Sequence, residues 1–269
     1  MHGLGNDFVV IDAVTQNVTM TPKLAKKLAD RNFGVGCDQI LLVEPPTTPD
    51  IDFKYRIFNA DGSEVSQCGN GARCFAKFVR DRRLTGKRVI KAETHAGILE
   101  LSVDTKQTYT AALGVPVFEP EKIPFQADHA STLYTVAFDG QNVELGALSL
   151  GNPHAVIQVD DIKTAKLDEW GPAIESHLRF PERVNVGFME LVSRSALNLR
   201  VYERGAGETL ACGSGACAAV ISGIRQDLLD SPVTVNLPGG SLSVAWSGEG
   251  HPVILTGPAT TVFQGRIRL

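Results

Sequence analysis

Two short stretches of this sequence combine thiols, glycines and small polar residues in almost the same order. The first is CGNGARC, from Cys68 to Cys74, and the second is CGSGAC, from Cys212 to Cys217. Cysteines in such stretches can bind metal, form redox pairs or act as nucleophiles and bases. The glycine beside each first cysteine and the lack of a nearby histidine disfavour zinc, and no C-x-x-C typical of thiol redox proteins is present.

The likeness between the two stretches continues upstream, which indicates an internal duplication. A shift of 212 − 68 = 144 residues places FNADGSEVSQCGNGA over YERGAGETLACGSGA, with Glu64 on Glu208. A shift of 151 − 5 = 146 places GNDFVVID (residues 5–12) over GNPHAVIQ (residues 151–158). A repeat of about 145 residues is too long for a solenoid unit, so we predict two domains of one fold.

The predicted fold class is α+β, with two pseudo-symmetric domains and an active site in the cleft between them. Each domain is expected to wrap a mainly antiparallel or mixed sheet around one central helix. The proline-rich segment LGVPVFEPEKIPF separates the halves. We therefore predict an N-terminal domain over residues 1–113 and a C-terminal domain over residues 114–257. Alternation in VFQGRIRL predicts a last strand, within residues 258–269, that completes the N-terminal domain.

Periodicity predicts that strands dominate both halves. Asp52–Phe58 and Leu197–Tyr202 alternate apolar and polar residues, as strands with one solvated face do. Further strands are predicted at Ile40–Val43, Ile98–Val103, Val143–Leu150, Ala155–Val159, Val184–Leu191, Val233–Asn236, Leu242–Trp246 and Val253–Thr256. Helices are predicted from Pro22, which follows the N-cap residue Thr21, and over Gly71–Arg82 and Gly215–Leu229.

Each key cysteine therefore lies just before a helix. A helix N-terminus presents unpaired N–H groups and a partial positive charge, which favour a carboxylate or a thiolate. We expect the pKa of both thiols to fall below the ordinary value of about 8.5. If Cys68 and Cys212 face one substrate, one thiolate can remove the proton beside a carboxylate while the opposite thiol protonates the other face. Amide N–H groups would stabilise the enolate-like charge that develops.

Five blocks of the sequence together resemble the diaminopimelate epimerase family. They are HGLGNDFVVID, FNADGSEVSQCGNGARC, GNPHAV, ERVNVGF and YERGAGETLACGSGACA, in the family's order over nearly the whole chain. The resemblance implies a cofactor-independent isomerase that interconverts LL- and meso-2,6-diaminopimelate in lysine and peptidoglycan precursor biosynthesis. It also implies a homodimer.

The resemblance assigns roles to individual residues. Cys68 and Cys212 match the two catalytic thiols, and His154 and Glu203 match residues that tune their pKa values. The residues that match substrate contacts are Asn6, Gln39, Asn59, Gly69, Asn70, Asn152, Asn185, Glu203, Arg204, Gly213 and Ser214. Of these, the two residues after each catalytic cysteine match the backbone groups that hold the reacting carboxylate. Arg204 offers a fork of donors for the distal carboxylate, which an epimerase of a symmetric substrate must grip.

Composition excludes several classes of protein. The 26 basic and 30 acidic residues give a net charge of −4 with no long basic run, which argues against nucleic-acid binding. The sequence has no run of 18 apolar residues and no signal-peptide pattern, so we expect a cytoplasmic protein without membrane contact. Five cysteines in such a compartment should be reduced. Cys37, Cys74 and Cys217 are interpreted as buried packing residues, and no metal site is expected.

Two alternatives remain open on the sequence. One is a related two-cysteine racemase or epimerase acting on proline or hydroxyproline, which the YERGAGET and GNPHAV blocks disfavour because they suit the distal end of a longer substrate. The other is a thiol redox protein, which would leave the duplication without an explanation.

Overall fold

The chain divides into two compact units. A computed structural model describes residues 1–66, 68–104 and 108–268. Unit 1 consists of Met1–Ala112 together with Thr256–Leu269, and unit 2 consists of Leu113–Leu255. Each unit is a mixed sheet packed against one long buried helix, which confirms the predicted α+β class with two similar domains.

Unit 1 contains the first eight strands and two helices. They are β1 (His2–Gly3), β2 (Asn6–Asp12), α1 (Pro22–Ala29), β3 (Gln39–Glu44), β4 (Phe53–Asn59), β5 (Glu64–Val65), α2 (Gly69–Asp81), β6 (Val89–Thr94), β7 (Gly97–Val103) and β8 (Tyr109–Ala112). The ladder is parallel between β2 and β3 and between β4 and β6. It is antiparallel from β3 to β4, from β4 to β5 and from β6 through β8.

Unit 2 contains the following eight strands and two more helices. They are β9 (Tyr134–Phe138), β10 (Gln141–Ser149), β11 (Pro153–Gln158), α3 (Leu167–Glu175), β12 (Asn185–Ser193), β13 (Ala196–Glu203), β14 (Gly207–Thr209), α4 (Gly213–Arg225), β15 (Val233–Leu237) and β16 (Gly240–Ala245). β11 and β12 are parallel, as are β13 and β15, while β12 to β13 and β13 to β14 are antiparallel. A last strand, β17 (Ile254–Gly257), begins in unit 2, ends in unit 1 and pairs with β8.

The register of the strands repeats between the units. Phe58 pairs with Glu64 in unit 1, and Tyr202 pairs with Glu208 in unit 2, a shift of 144 residues. Phe8 pairs with Gln39, and His154 pairs with Asn185, a shift of 146. Arginine–glutamate pairs repeat as well, from Arg56 to Glu64 and from Arg200 to Glu208. The duplication read from the sequence is therefore present in the sheet hydrogen bonding.

The central helices α2 and α4 begin earlier than periodicity predicts. They start at Gly69 and Gly213, because the preceding cysteine in each case is the N-cap residue. Two residues beyond the last residue of each helix the backbone enters the left-handed region, at Arg83 (φ 58°) and at Asp227 (φ 58°). Such a residue stops a helix, so α4 ends at Arg225 instead of the predicted Leu229.

The strand predicted within residues 258–269 is wrong for the part of the segment that the structure describes. Residues 258–268 are irregular apart from one bridge between His2 and Thr260, and Leu269 lies outside the described residues. Val262, Phe263 and Ile267 are exposed, because no neighbouring strand covers them. None of the helices in the described ranges is long and apolar enough to span a membrane.

Candidate functional site

Cys68 caps the N-terminus of α2, so its sulfur lies at the positive end of that helix. Its backbone is extended (φ −150°, ψ 110°), and its Sγ accepts a hydrogen bond from the Gly71 amide at 3.3 Å. Residue 71 must be small, because a Cβ there would lie 2.6 Å from the Tyr55 hydroxyl. The cysteine thus occupies the place where serine or aspartate ordinarily caps a helix.

Two asparagines lie beside Cys68. Cys68 Sγ is 3.9 Å from Asn6 Oδ1, which accepts a hydrogen bond from Asn70 Nδ2 at 3.2 Å. Asn6 Nδ2 donates to Asp38 Oδ2 at 2.9 Å. Gly5, with φ 94°, permits the left-handed turn that precedes Asn6. The structure therefore brings together Cys68, Asn6 and Asn70, and contact of Asn6 and Asn70 with substrate stays a prediction.

Gln39 and Asn59 face each other across β3 and β4. Gln39 Nε2 donates to Asn59 Oδ1 at 2.9 Å, and Asn59 Nδ2 donates to Ser63 Oγ at 3.1 Å. Gln39 Oε1 is buried and accepts no hydrogen bond from the described residues. A substrate N–H group can donate to this oxygen. Such a hydrogen bond would remove the free-energy cost of burying an acceptor without a partner. Substrate contact by these two residues stays a prediction.

Cys212 repeats the capping arrangement at the start of α4. Its backbone is again extended (φ −115°, ψ 109°), and its Sγ accepts from the Gly215 amide at 3.4 Å. Ser214 Oγ lies 3.7 Å from the same sulfur. Both sequence-predicted thiols therefore cap a buried helix and receive one of its first N–H groups.

The pKa of the Cys212 thiol is raised well above its ordinary value, contrary to the sequence-based expectation. Burial is the largest cause, and the charge of the neighbouring Glu203 carboxylate acts in the same direction. The Gly215 amide and the Ser214 hydroxyl favour the thiolate, but their effect is smaller. Glu203 Oε1 also accepts a hydrogen bond from Thr209, which holds the carboxylate in place. Cys212 is thus held as a thiol at neutral pH, because desolvation outweighs the helix end.

His154 is fully buried and is linked to Cys212 through Asn152 and Ser214. Its Nε2 lies 3.1 Å from Asn152 Oδ1, and Asn152 Nδ2 donates to Ser214 Oγ at 3.4 Å. Burial, with a smaller contribution from the Arg204 charge, lowers the pKa of His154 to about 3. The imidazole is therefore neutral at physiological pH. Tuning of the thiols by His154 stays a prediction, and any such effect passes through Asn152 and Ser214.

Asn185 and Arg204 are joined through the backbone. Asn185 Nδ2 donates to the Pro153 carbonyl at 2.9 Å, and its Oδ1 accepts from the Arg204 amide at 3.1 Å. The Arg204 guanidinium donates to the Glu182 carbonyl at 3.0 Å. A carbonyl is a neutral partner, so the positive charge of Arg204 can still attract a carboxylate. Substrate contact by Asn185 and Arg204 stays a prediction.

Sequence patterns did not identify two carboxylates near the site, the buried Glu175 and the exposed Asp38. Glu175, on α3, accepts from the Gly205 amide at 3.0 Å and from Arg183 at 3.2 Å, so it supports the turn that carries Arg204. Asp38 anchors Asn6. No periodic pattern surrounds Asp38, so the sequence offered no signal for it. Glu175 was missed because its helix, α3, contains Pro172, and a proline inside a sequence indicates the end of a helix.

The remaining cysteines are packing residues, as predicted. Cys37, Cys74 and Cys217 are all buried, and burial raises the pKa of Cys37 to about 11 and of Cys74 to about 12. Within residues 1–66, 68–104 and 108–268, no group of three or more His, Cys, Asp or Glu side chains is arranged to hold a metal ion. Each of the two helix starts presents a thiol together with backbone N–H groups.

Sequence comparisons place these features in a known family. The family model described as diaminopimelate epimerase matches residues 1–119 and 146–262. A diaminopimelate epimerase from Pseudomonas savastanoi pv. phaseolicola is 58% identical over 269 residues, which cover 100% of this chain and 98% of that protein. One from Ectopseudomonas mendocina is 56% identical with the same coverage.

Solved structures with the same fold are more distant in sequence. A probable proline racemase from Agrobacterium radiobacter has a TM-score of 0.71 at 14% identity and covers 100% of this chain and 91% of its own. A PhzF-family phenazine biosynthesis protein from Bacillus anthracis has a TM-score of 0.66 at 17% identity and covers 96% of this chain and 92% of its own. These similarities concern the fold alone.

Proposed function

The chain belongs to the diaminopimelate epimerase family, and from this premise we propose that it interconverts LL- and meso-2,6-diaminopimelate. The observation that carries the proposal is the pair of N-cap cysteines, duplicated with their glycines in a chain that is 58% identical to a diaminopimelate epimerase over its full length. The proline or hydroxyproline alternative is disfavoured, because a probable proline racemase and a hydroxyproline epimerase of known structure each share 14% identity with this chain, against 58% for a diaminopimelate epimerase.

Inversion at an α-carbon needs a base on one face and an acid on the other. We propose that Cys68 and Cys212 supply these two groups to one substrate. In the LL-to-meso direction, the Cys68 thiolate takes the α-proton and the Cys212 S–H bond delivers a proton to the opposite face. The C–H bond broken and the C–H bond formed involve the same carbon, so no oxidant or reductant is required. The reverse reaction exchanges the two roles.

The two thiols have different environments, which favours Cys68 as the base and Cys212 as the acid in the LL-to-meso direction. Cys212 is 5% exposed and lies beside the Glu203 carboxylate, so it retains its proton. The residue equivalent to Glu203 in unit 1, at the 144-residue shift, is the neutral Asn59. Cys68 is only half-buried, and the neutral Asn59 brings no charge to the position that Glu203 occupies in unit 2.

The helix starts provide the groups that stabilise the carbanion. The first turns of α2 and α4 place backbone N–H groups at the helix N-termini, at Gly69, Asn70, Gly213 and Ser214. We propose that these N–H groups bind the carboxylate next to the reacting carbon. As the α-proton leaves, negative charge spreads onto that carboxylate, and fixed donors stabilise it without reorganisation.

Recognition of the distal end is assigned to the polar side chains around these helices. Arg204 can pair with the distal carboxylate, and Asn59, Asn152 and Asn185 can supply neutral donors and acceptors. We further propose, on the resemblance, that Asn6 and Gln39 contact the substrate, that the enzyme is a cytoplasmic homodimer, and that it needs no cofactor. Gel filtration with light scattering would test the dimer.

A substrate panel tests the proposed function. Purified protein is incubated with LL-diaminopimelate, L-proline or trans-4-hydroxy-L-proline, with no added pyridoxal phosphate or metal, and the stereoisomers are separated by chiral chromatography. We expect meso-diaminopimelate from the first substrate and no inversion of the other two. Inversion of proline without inversion of diaminopimelate would overturn the proposal. Cys37→Ala is the matched control for Cys68→Ala and Cys212→Ala, since it removes a buried thiol outside the helix starts.

A further inference from the structure

A fully buried arginine lies behind the Cys68 helix start. Arg73 is 0% exposed, although arginine is among the residues least often buried. Its Nη1 donates to the Gly69 carbonyl at 3.2 Å, its Nη2 to Asn70 Oδ1 at 3.0 Å, and its Nε to the Pro258 carbonyl at 3.2 Å. Gly3 of β1 closes over it, since a Cβ at residue 3 would lie 3.2 Å from Arg73 Nη2.

Arg73 is one end of a hydrogen-bond chain with a fixed direction. A guanidinium can only donate, so Asn70 must present its oxygen to Arg73 and its NH2 to Asn6. At the other end, the Asp38 carboxylate accepts from Asn6 Nδ2 at 2.9 Å. Asn6 must therefore present its oxygen towards Asn70 and Cys68. A donor-only group and an acceptor at the two ends fix the orientation of both amides.

The second unit is built differently at the same position. The residue equivalent to Arg73 at the 144-residue shift is Cys217, and the residue equivalent to Asn70 is Ser214. Unit 2 instead places Glu203 beside its catalytic thiol. The two helix starts therefore differ by a buried cation at one and a carboxylate at the other.

We propose that Arg73 is a positioning residue for Cys68, which fixes the Asn70 and Asn6 amides beside the sulfur and places a buried positive charge behind it. The inference rests on the proposed function only where turnover is measured. Other titratable or charged groups near this helix are Asp38 before β3, Tyr55 on β4, Tyr109 on β8, Cys74 and Lys77 on α2, and the α-amino group of Met1 before β1. All of these groups are unchanged in the variants below.

The test measures the reactivity of the Cys68 thiol without substrate. Parent, Arg73→Lys, Arg73→Gln and Arg73→Met proteins are alkylated with iodoacetamide between pH 5 and 10, and the Cys68 peptide is quantified by mass spectrometry. Lysine keeps a donor-only cation, while glutamine is neutral and can point either way. Arg82→Met is the matched control, because it removes the same charge from the exposed C-cap of the same helix.

We expect the midpoint of Cys68 alkylation to move about one pH unit upward in Arg73→Gln and Arg73→Met, because loss of a nearby buried positive charge makes the thiolate harder to form. Arg73→Lys and Arg82→Met should stay within about 0.3 unit of the parent, a few tenths being the ordinary effect of a distant or retained charge. Equal midpoints in the glutamine and lysine variants would overturn the proposal, even if the methionine variant fails to fold. Because alkylation needs no diaminopimelate, failure of the proposed function would leave this result intact.

Turnover gives a second readout. With LL-diaminopimelate, kcat should fall at least about tenfold in Arg73→Gln and recover towards the parent in Arg73→Lys, since one misplaced positioning group commonly costs that much. A variant that changes only the melting temperature, with parent kcat, KM and alkylation midpoint, would show that Arg73 merely fills the core.

Discussion

Gly71 lies where the Cys68 helix start touches the core, and replacing it tests how closely that start must be positioned. In Gly71→Ala the new Cβ would lie 2.6 Å from the Tyr55 hydroxyl and 3.1 Å from Leu41 Cδ2. Ordinary contacts begin at about 3.4 Å, so the helix start must move by about 0.8 Å or the tyrosine must yield. The Gly71 amide is the group that binds Cys68 Sγ, so the sulfur would move with it.

A displacement of this size should be expensive for catalysis. Misplacing a reacting group by about 1 Å commonly costs about 10²-fold in rate, so we expect kcat/KM of Gly71→Ala to fall by about 30- to 100-fold. Overpacking of a buried site should also lower the free energy of unfolding by about 1–3 kcal/mol. Epimerisation assays and urea denaturation measure the two effects separately.

The Tyr55 hydroxyl provides an internal rescue. It is buried and has no hydrogen-bond partner among the described residues, so Tyr55→Phe alone should be neutral or stabilising. In the double variant Gly71→Ala/Tyr55→Phe the closest clash is removed, and we expect kcat/KM to recover to within about tenfold of the parent. Gly86→Ala is the matched control, because nothing lies within 4 Å of its Cβ. Parent-like activity of Gly71→Ala, or no recovery in the double variant, would show that Gly71 does not set the position of Cys68.

Three further changes test the second unit. Glu203→Gln removes the charge that helps to raise the pKa of Cys212, so alkylation of Cys212 at pH 8 should accelerate about tenfold, and an unchanged rate would contradict this assignment. His154 has a pKa of about 3 in the folded protein and about 6.5 in the unfolded chain, so the stability it contributes is lost as pH falls between these values. From pH 6 to pH 5, the free energy of unfolding measured in denaturant titrations should fall by about 1 kcal/mol more in the parent than in His154→Gln. Equal losses would show that His154 is not held neutral. Glu175→Ala leaves the Gly205 amide without its acceptor, so the free energy of unfolding should fall by about 2 kcal/mol. Because that amide belongs to the turn that carries Arg204, KM should rise more than kcat falls. An unchanged KM would show that Glu175 does not support the position of Arg204.

The duplication and the positions of the two thiols could be predicted from the sequence because the patterns that indicate them extend over only a few neighbouring residues. Glycines after each cysteine, apolar periodicity in α2 and α4, and alternation in β4 and β13 all act over a few residues. Apart from the strand within residues 258–269, the strands that periodicity predicts have bounds within two residues of the observed ones, while β2 and β6, among others, were not predicted. The N-cap role of Cys68 was less visible, since cysteine is an uncommon cap and the helix was predicted to begin at Gly71.

What could not be predicted depends on contacts between distant segments. The raised pKa of Cys212 results from burial and from Glu203, which the β13 hairpin brings beside the helix start. Arginine is usually found at the surface of a helix, so the sequence predicts that Arg73 is exposed. It is instead fully buried, on the same buried stretch of α2 as Ala72, Cys74 and Phe75. The C-terminal segment alternates like a strand, but alternation alone does not supply a partner strand.

The source of the proton on the inverted carbon tests the two-thiol mechanism directly. LL-diaminopimelate is converted in D2O, and the reaction is stopped at low conversion for analysis by NMR and mass spectrometry. If Cys212 delivers a solvent-derived deuteron while Cys68 removes the protium, the meso product carries one deuterium at the inverted carbon and the recovered LL substrate is unlabelled. Meso product that retains its original protium, or parent-like inversion by Cys212→Ala, would contradict the two-thiol mechanism.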